Sequence, residues 1–132
     1  MTHLRILALA CCLPASANVA AQPPDWTKAP RIEVKLSSFA FAPATLHLKA
    51  GQPVVLHLVN TASGGHDFSA PRFFSAARVR PQDRHLVDGG RVELAGHRSA
   101  DVALVPRAGR YALKCTHAFH KMFGMSGRIV VD

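Results

Sequence analysis

From Arg31 onward, apolar residues recur at every second position in short runs, and a proline, a glycine or a small polar turn cuts each run. Period-two patterning puts alternate side chains on opposite faces of a strand, so each run buries one face and wets the other. Ile32, Val34 and Leu36 alternate with Glu33 and Lys35, and Phe39 and Phe41 carry the alternation on. Leu46 and Leu48 alternate with His47 and Lys49 before the Ala50-Gly51 turn. Residues 54–59 are more continuously apolar, as an inner strand would be. Val92 and Leu94, then Val102 and Leu104, then Tyr111, Leu113 and Cys115, and last residues 128–131 supply the remaining runs. Only residues 73–79, with Phe73, Phe74 and Ala77 on one side, suit a helical turn or two. About seven or eight short strands with regularly spaced turns predict an all-β sandwich or barrel.

The chain has 132 residues, which suits one domain rather than two. Residues 1–21 read as an export signal. His3 and Arg5 form a short basic start, residues 6–13 an apolar stretch that Pro14 ends, and Val19-Ala20-Ala21 a small-residue cleavage site. Ala15-Ser16-Ala17 is a second place to cut. The apolar stretch is too short and interrupted for a membrane anchor, and no later stretch approaches a spanning length, so a polytopic membrane protein is excluded. Residues 22–30, with Pro23, Pro24 and Pro30, read as a linker, and residues 31–132 as the domain. Of three cysteines, Cys11 and Cys12 leave with the signal. Cys115 then has no partner for an internal disulfide, and a lone thiol in an oxidising compartment is a liability unless buried or bound to a metal.

Residues 115–127 read Cys-Thr-His-Ala-Phe-His-Lys-Met-Phe-Gly-Met-Ser-Gly. One segment between two strands thus offers a thiolate, two imidazoles and two thioethers. Upstream, His66-Asp67-Phe68 follows a Gly-Gly loop. Thiolate, imidazole and thioether are soft or borderline ligands that suit copper, and two His with one Cys and a weak axial Met is the blue-copper arrangement. His117 and Met122 are further donors in the same segment, and a set that included either would have another geometry.

The segment resembles the copper loop of the cupredoxin family. One branch of that family runs Cys, four residues, His, four residues, Met, one residue, Gly, then an apolar strand. Cys115, His120, Met125, Gly127 and residues 129–131 match that order. The preceding Tyr111-x-Leu113-x-Cys115 strand matches too, as do Phe39-x-Phe41-x-Pro43, Ala50-Gly51, Asn60 and His66-Asp67-Phe68. The resemblance spans roughly residues 31–132. It implies a Greek-key β-sandwich with one copper ion near one end, bound by His66, Cys115, His120 and Met125. Asp67 and Thr116 would tie the two ligand loops together by hydrogen bonds. The family has Pro-Gly where this chain has Ala118-Phe119 just before the His.

The resemblance implies a small periplasmic copper protein that carries single electrons between redox partners. Phe119, Met122 and Phe123 would form an apolar rim where the electron leaves. A periplasmic protein of copper trafficking or resistance is the alternative, with His117 and Met122 passing metal on. An enzyme is not expected, because the chain has no Ser/His/Asp set and no His-Glu-x-x-His. Net charge is +8, which suits either a docking face for an acidic redox partner or plain solubility. Nucleic-acid binding is not expected, because no recognition motif is present. His47, His57, His85 and His97 read as ordinary surface or pocket residues.

Overall fold

A computed structural model describes residues 21–118 and 123–132. Two five-stranded sheets face each other. The first has the order β2-β1-β4-β8-β6, built from β1 (Arg31–Ser37), β2 (Ala40–Ala42), β4 (Val54–Asn60), β6 (Arg78–Val79) and β8 (Ser99–Val105). The second has the order β3-β10-β9-β5-β7, from β3 (Thr45–Leu48), β5 (His66–Ser69), β7 (Arg91–Leu94), β9 (Gly109–Lys114) and β10 (Ser126–Val131). β1 runs parallel to β4 and β3 parallel to β10; the other pairs are antiparallel. The expected all-β sandwich is the observed class.

The period-two pattern explains the layers. Val34 and Leu36 of β1, Leu56 and Leu58 of β4 and Val102 and Leu104 of β8 are fully buried, while Glu33 and Lys35 face water. Leu46, Leu113 and Ile129 close the core from the second sheet. Phe68 stands at its centre, edge-on to Phe41 and Phe74 with ring centroids 6.1 and 6.0 Å away. Such pairs add roughly 0.5–1.5 kcal/mol beyond the area they bury.

Ten strands form among the described residues, not seven or eight. The run from Arg31 to Phe41 does not continue as one strand. Phe39 adopts a left-handed φ of 67°, and the chain folds back so that Ser37 pairs with Ala40. The helical turn also lies elsewhere than expected. α1 (Pro71–Ala76) begins at a proline, whose fixed φ suits a first helical position. It stops before Ala77, which is extended, and Arg78 and Val79 then pair with Val105 and Leu104 as β6. Short 3-10 segments occupy Trp26–Lys28 and Pro81–Leu86. No described helix is long and apolar enough to cross a membrane. The expected signal segment lies outside the described residues except for Ala21, as do Phe119, His120 and Met122.

Candidate metal centre

β4 leads into the first half of the site. Its last residue, Asn60, is buried and faces the core side of the strand. Its Nδ2 donates to the carbonyls of Gly64 (2.8 Å), Leu94 (3.1 Å) and Ala95 (3.1 Å), and its Oδ1 accepts from the Ala62 amide (3.0 Å). One side chain therefore fixes both ends of the loop before His66 and fastens that loop to the end of β7. Gly96 permits the contact. A Cβ there would lie 1.9 Å from the Ser63 carbonyl oxygen, far inside carbon–oxygen contact distance. The loop thus delivers His66 into β5 with its imidazole inward and 1% exposed.

β9 supplies the second half. β5 and β9 pair at Ser69 and Lys114, so beyond that point Asp67 lies beside Thr116. The buried Asp67 carboxylate accepts the Thr116 amide at 2.8 Å through Oδ1 and the Thr116 hydroxyl through Oδ2. Arg91 approaches the same Oδ2 at 3.9 Å. This is the tie between the two loops that the resemblance implied. Immediately before it, the Cys115 amide donates to the Met125 carbonyl at 3.1 Å, which holds the returning chain against β9. Cys115 and Met125 are both buried.

The Cys115 Sγ lies 3.9 Å from His66 Nδ1, although the two residues are far apart in sequence. Burial pushes the Cys115 thiol above its ordinary pKa. Backbone amides of Asp67 and His117 pull it back, and the Asp67 charge adds to the rise. Such a sulfur stays protonated in ordinary buffer, and a bound cation would have to displace that proton. Of the four residues expected to bind metal, His66 and Cys115 meet here through their side chains, and Met125 is buried with its carbonyl on the Cys115 amide. His120 lies outside the described residues.

His117 has a partner that its sequence position does not reveal. Its Nε2 is 2.7 Å from Glu93 Oε1. The pairing of Asp67 with Glu93 across β5 and β7 brings that carboxylate to the ligand loop, so no local pattern could have announced it. The imidazole packs over Gly65, where a Cβ would lie 3.1 Å from His117 Cε1, and its ring centre is 6.4 Å from that of His66. Asp67, Glu93 and His117 bring one donor atom each within 4.8 Å of one another, but Asp67 is engaged by Thr116 and His117 by Glu93. Of the expected apolar rim, Phe123 is described. It is 63% exposed and stacks on Phe39, centroid to centroid 4.9 Å, a partner that the sequence reading placed inside a strand. His57, read as an ordinary residue, pairs with Asp101 at 2.7 Å between β4 and β8.

The fold resembles that of solved copper-protein structures. Auracyanin B is 22% identical, with 88% of this chain and 95% of that one covered at a TM-score of 0.57. Auracyanin A, described as a "blue" copper protein from Chloroflexus aurantiacus, is 19% identical over 77% of this chain and 99% of that one, at 0.52. The McoA multicopper oxidase of Aquifex aeolicus is 16% identical over 86% of this chain and 31% of that one, at 0.60. At these identities the likeness is one of fold. No curated protein sequence matches the chain significantly. The model of the Cupredoxin-like domain matches residues 4–131, nearly the whole sequence, and the chain belongs to that family.

Proposed function

We propose that the chain is a periplasmic copper protein that carries single electrons between redox partners, with His66, Cys115, His120 and Met125 as the ligands. The observation that carries this reading is the 3.9 Å approach of Cys115 Sγ and His66 Nδ1 within a dry core. Two donors bonded at about 2.0–2.3 Å to one ion keep such a separation at a near-trigonal angle. A sulfur and an imidazole nitrogen suit copper better than the oxygen-seeking cations, and the buried Met125 would add a thioether. Copper bound there would supply one-electron exchange between Cu(I) and Cu(II). Auracyanin A, of like fold, is described as a "blue" copper protein, which agrees with the reading.

The residues around the donors have definite tasks. Asn60 and the Asp67–Thr116 pair hold the two loops at fixed positions, so the donors have little room to rearrange between oxidation states. Buried Phe68 and Leu94 help keep water out. Export to the periplasm is supported by the signal-like composition of residues 1–21. The reading is of a carrier rather than a catalyst, although the same fold occurs within an oxidase. Copper trafficking is the competing reading. In that reading Glu93 would orient the His117 ring through Nε2, and any metal that His117 passed on would be held by Nδ1.

Addition of Cu(II) to the purified protein tests the reading. An intense thiolate charge-transfer band, reversibly bleached on reduction without metal loss, is the expected result. Colourless Cu(I) binding that a chelator removes quickly would replace the carrier by the trafficking protein. Cys115→Ser should abolish the band, and retained colour would overturn the sulfur's assignment.

A further inference from the structure

The outer face of the second sheet collects basic residues, of which only Arg91 has an acid beside it among the described residues. Directly paired residues share a face, so the strand registers define it row by row. Arg91 pairs with Ser69, Ser69 with Lys114, and Lys114 with Ser126 across β7, β5, β9 and β10. In the next row Arg128 stands opposite Ala112, and in the row below Arg110 stands opposite Val130. Arg128 is therefore the diagonal neighbour of both Arg110 and Lys114, at roughly 7–8 Å along the backbone. Where β5 ends, α1 takes its place beside β9, and Arg72, Arg107 and Arg110 line one shallow cleft of about 410 Å³ there.

Like charges on one face repel, and an acidic partner would relieve that repulsion. Among the described residues, Arg72, Arg107, Arg110, Lys114 and Arg128 form no ion pair, while Arg31, Lys35 and Arg80 on the other side of the molecule do. Of the acids on the same face, Asp67 is engaged by Thr116 and Arg91, Glu93 by His117, and Asp88 stands opposite Arg91 at the β7 edge, away from Arg110 and Arg128. Asp132 lies past the end of β10. The face also leads to the site, because Lys114 precedes Cys115 and Arg91 reaches Thr116.

We infer that this face is the docking surface for an acidic redox partner, with the partner's carboxylates set against Arg110, Lys114 and Arg128 and its electron-exchanging group at the Cys115 end. The inference rests on the carrier reading above and specifies the partner's chemistry. A protein surface fits better than a lipid headgroup layer. The exposed large apolar side chains among the described residues are Phe39 and Phe123, and neither belongs to these strands, so the face has nothing to insert into a bilayer. Charge complementarity here would set encounter rate and orientation more than final affinity, as suits brief electron-transfer contacts.

The test is a low-salt titration of the isotopically labelled protein, with and without copper, by a short polyglutamate peptide and separately by phosphatidylglycerol vesicles. Polyglutamate should shift the amides of β9 and β10 selectively. The variant R110E/K114E/R128E should lose affinity about tenfold, whereas K35E/R78E/R84E, equal in charge change, should lose less than about threefold. Equal losses, shifts spread over both sheets, or stronger binding to the vesicles would overturn the inference, and the shift map of the unaltered protein decides even if a variant fails to fold. Localised polyglutamate binding without a coloured copper site would leave the docking face standing and remove the carrier reading. A coloured site with diffuse binding would do the reverse.

Discussion

Asn60 offers the sharpest probe of how the fold sets the site. Its amide has two hydrogens for three carbonyls, and its oxygen takes one amide, all within 2.8–3.1 Å and with the side chain buried. Asn60→Ala removes about three net hydrogen bonds, at about 1 kcal/mol each, and leaves the partners short of water. A loss of about 3 kcal/mol follows, or roughly 10–15 °C in Tm for a domain of this size. Asn60→Asp conserves the shape but turns a donor into a carboxylate aimed at three carbonyl oxygens. Burial and those oxygens would raise its folded pKa above the unfolded value of about 3.9. A raised acid is best tolerated when protonated, so the aspartate variant should regain stability as pH falls through its folded pKa and lose it as pH rises. Near neutral pH it should be less stable than Asn60→Ala despite its closer shape. Urea unfolding of the metal-free protein across pH measures this directly. An aspartate variant milder than the alanine one, or pH-independent, would refute the claim that donation from Nδ2 holds the loop.

Further outcomes can be checked in the same preparations. Gly96→Ala should cost at least about 2 kcal/mol in unfolding experiments, because the new Cβ meets the Ser63 backbone at 1.9 Å in a loop that Asn60 pins. With copper bound as proposed, Met125→Leu should retain the metal and raise the reduction potential by voltammetry, since a lost thioether stabilised Cu(II) more than Cu(I); an unchanged potential would move the axial role away from Met125. His117→Ala should leave the coloured band in place and cost less than about 1 kcal/mol, as expected for a half-exposed pair with Glu93, whereas loss of the band would put His117 in the ligand set.

The sequence alone determined the class of fold and the chemistry of the donors. Alternation is a local property, and side chains two apart on a strand must share a face, so Val34 and Leu36 or Val102 and Leu104 declared their burial without help from distant residues. The order Cys115, His120, Met125 is local as well, which is why the resemblance was legible there. Where backbone conformation departs from the pattern, the local signal fails. Phe39 looks like the next inward residue of a strand, yet its left-handed φ makes it a surface turn stacked on Phe123. Tertiary structure alone decided which residues stand beside one another across strands. Glu93 reaches His117, and Arg110, Lys114 and Arg128 gather on one face, because registers between β7, β5, β9 and β10 join segments that chain order keeps apart. The same holds for the approach of His66 to Cys115: residue types suggested a shared ion, but only the packed sheets, pinned by Asn60 and Asp67, set the 3.9 Å between them.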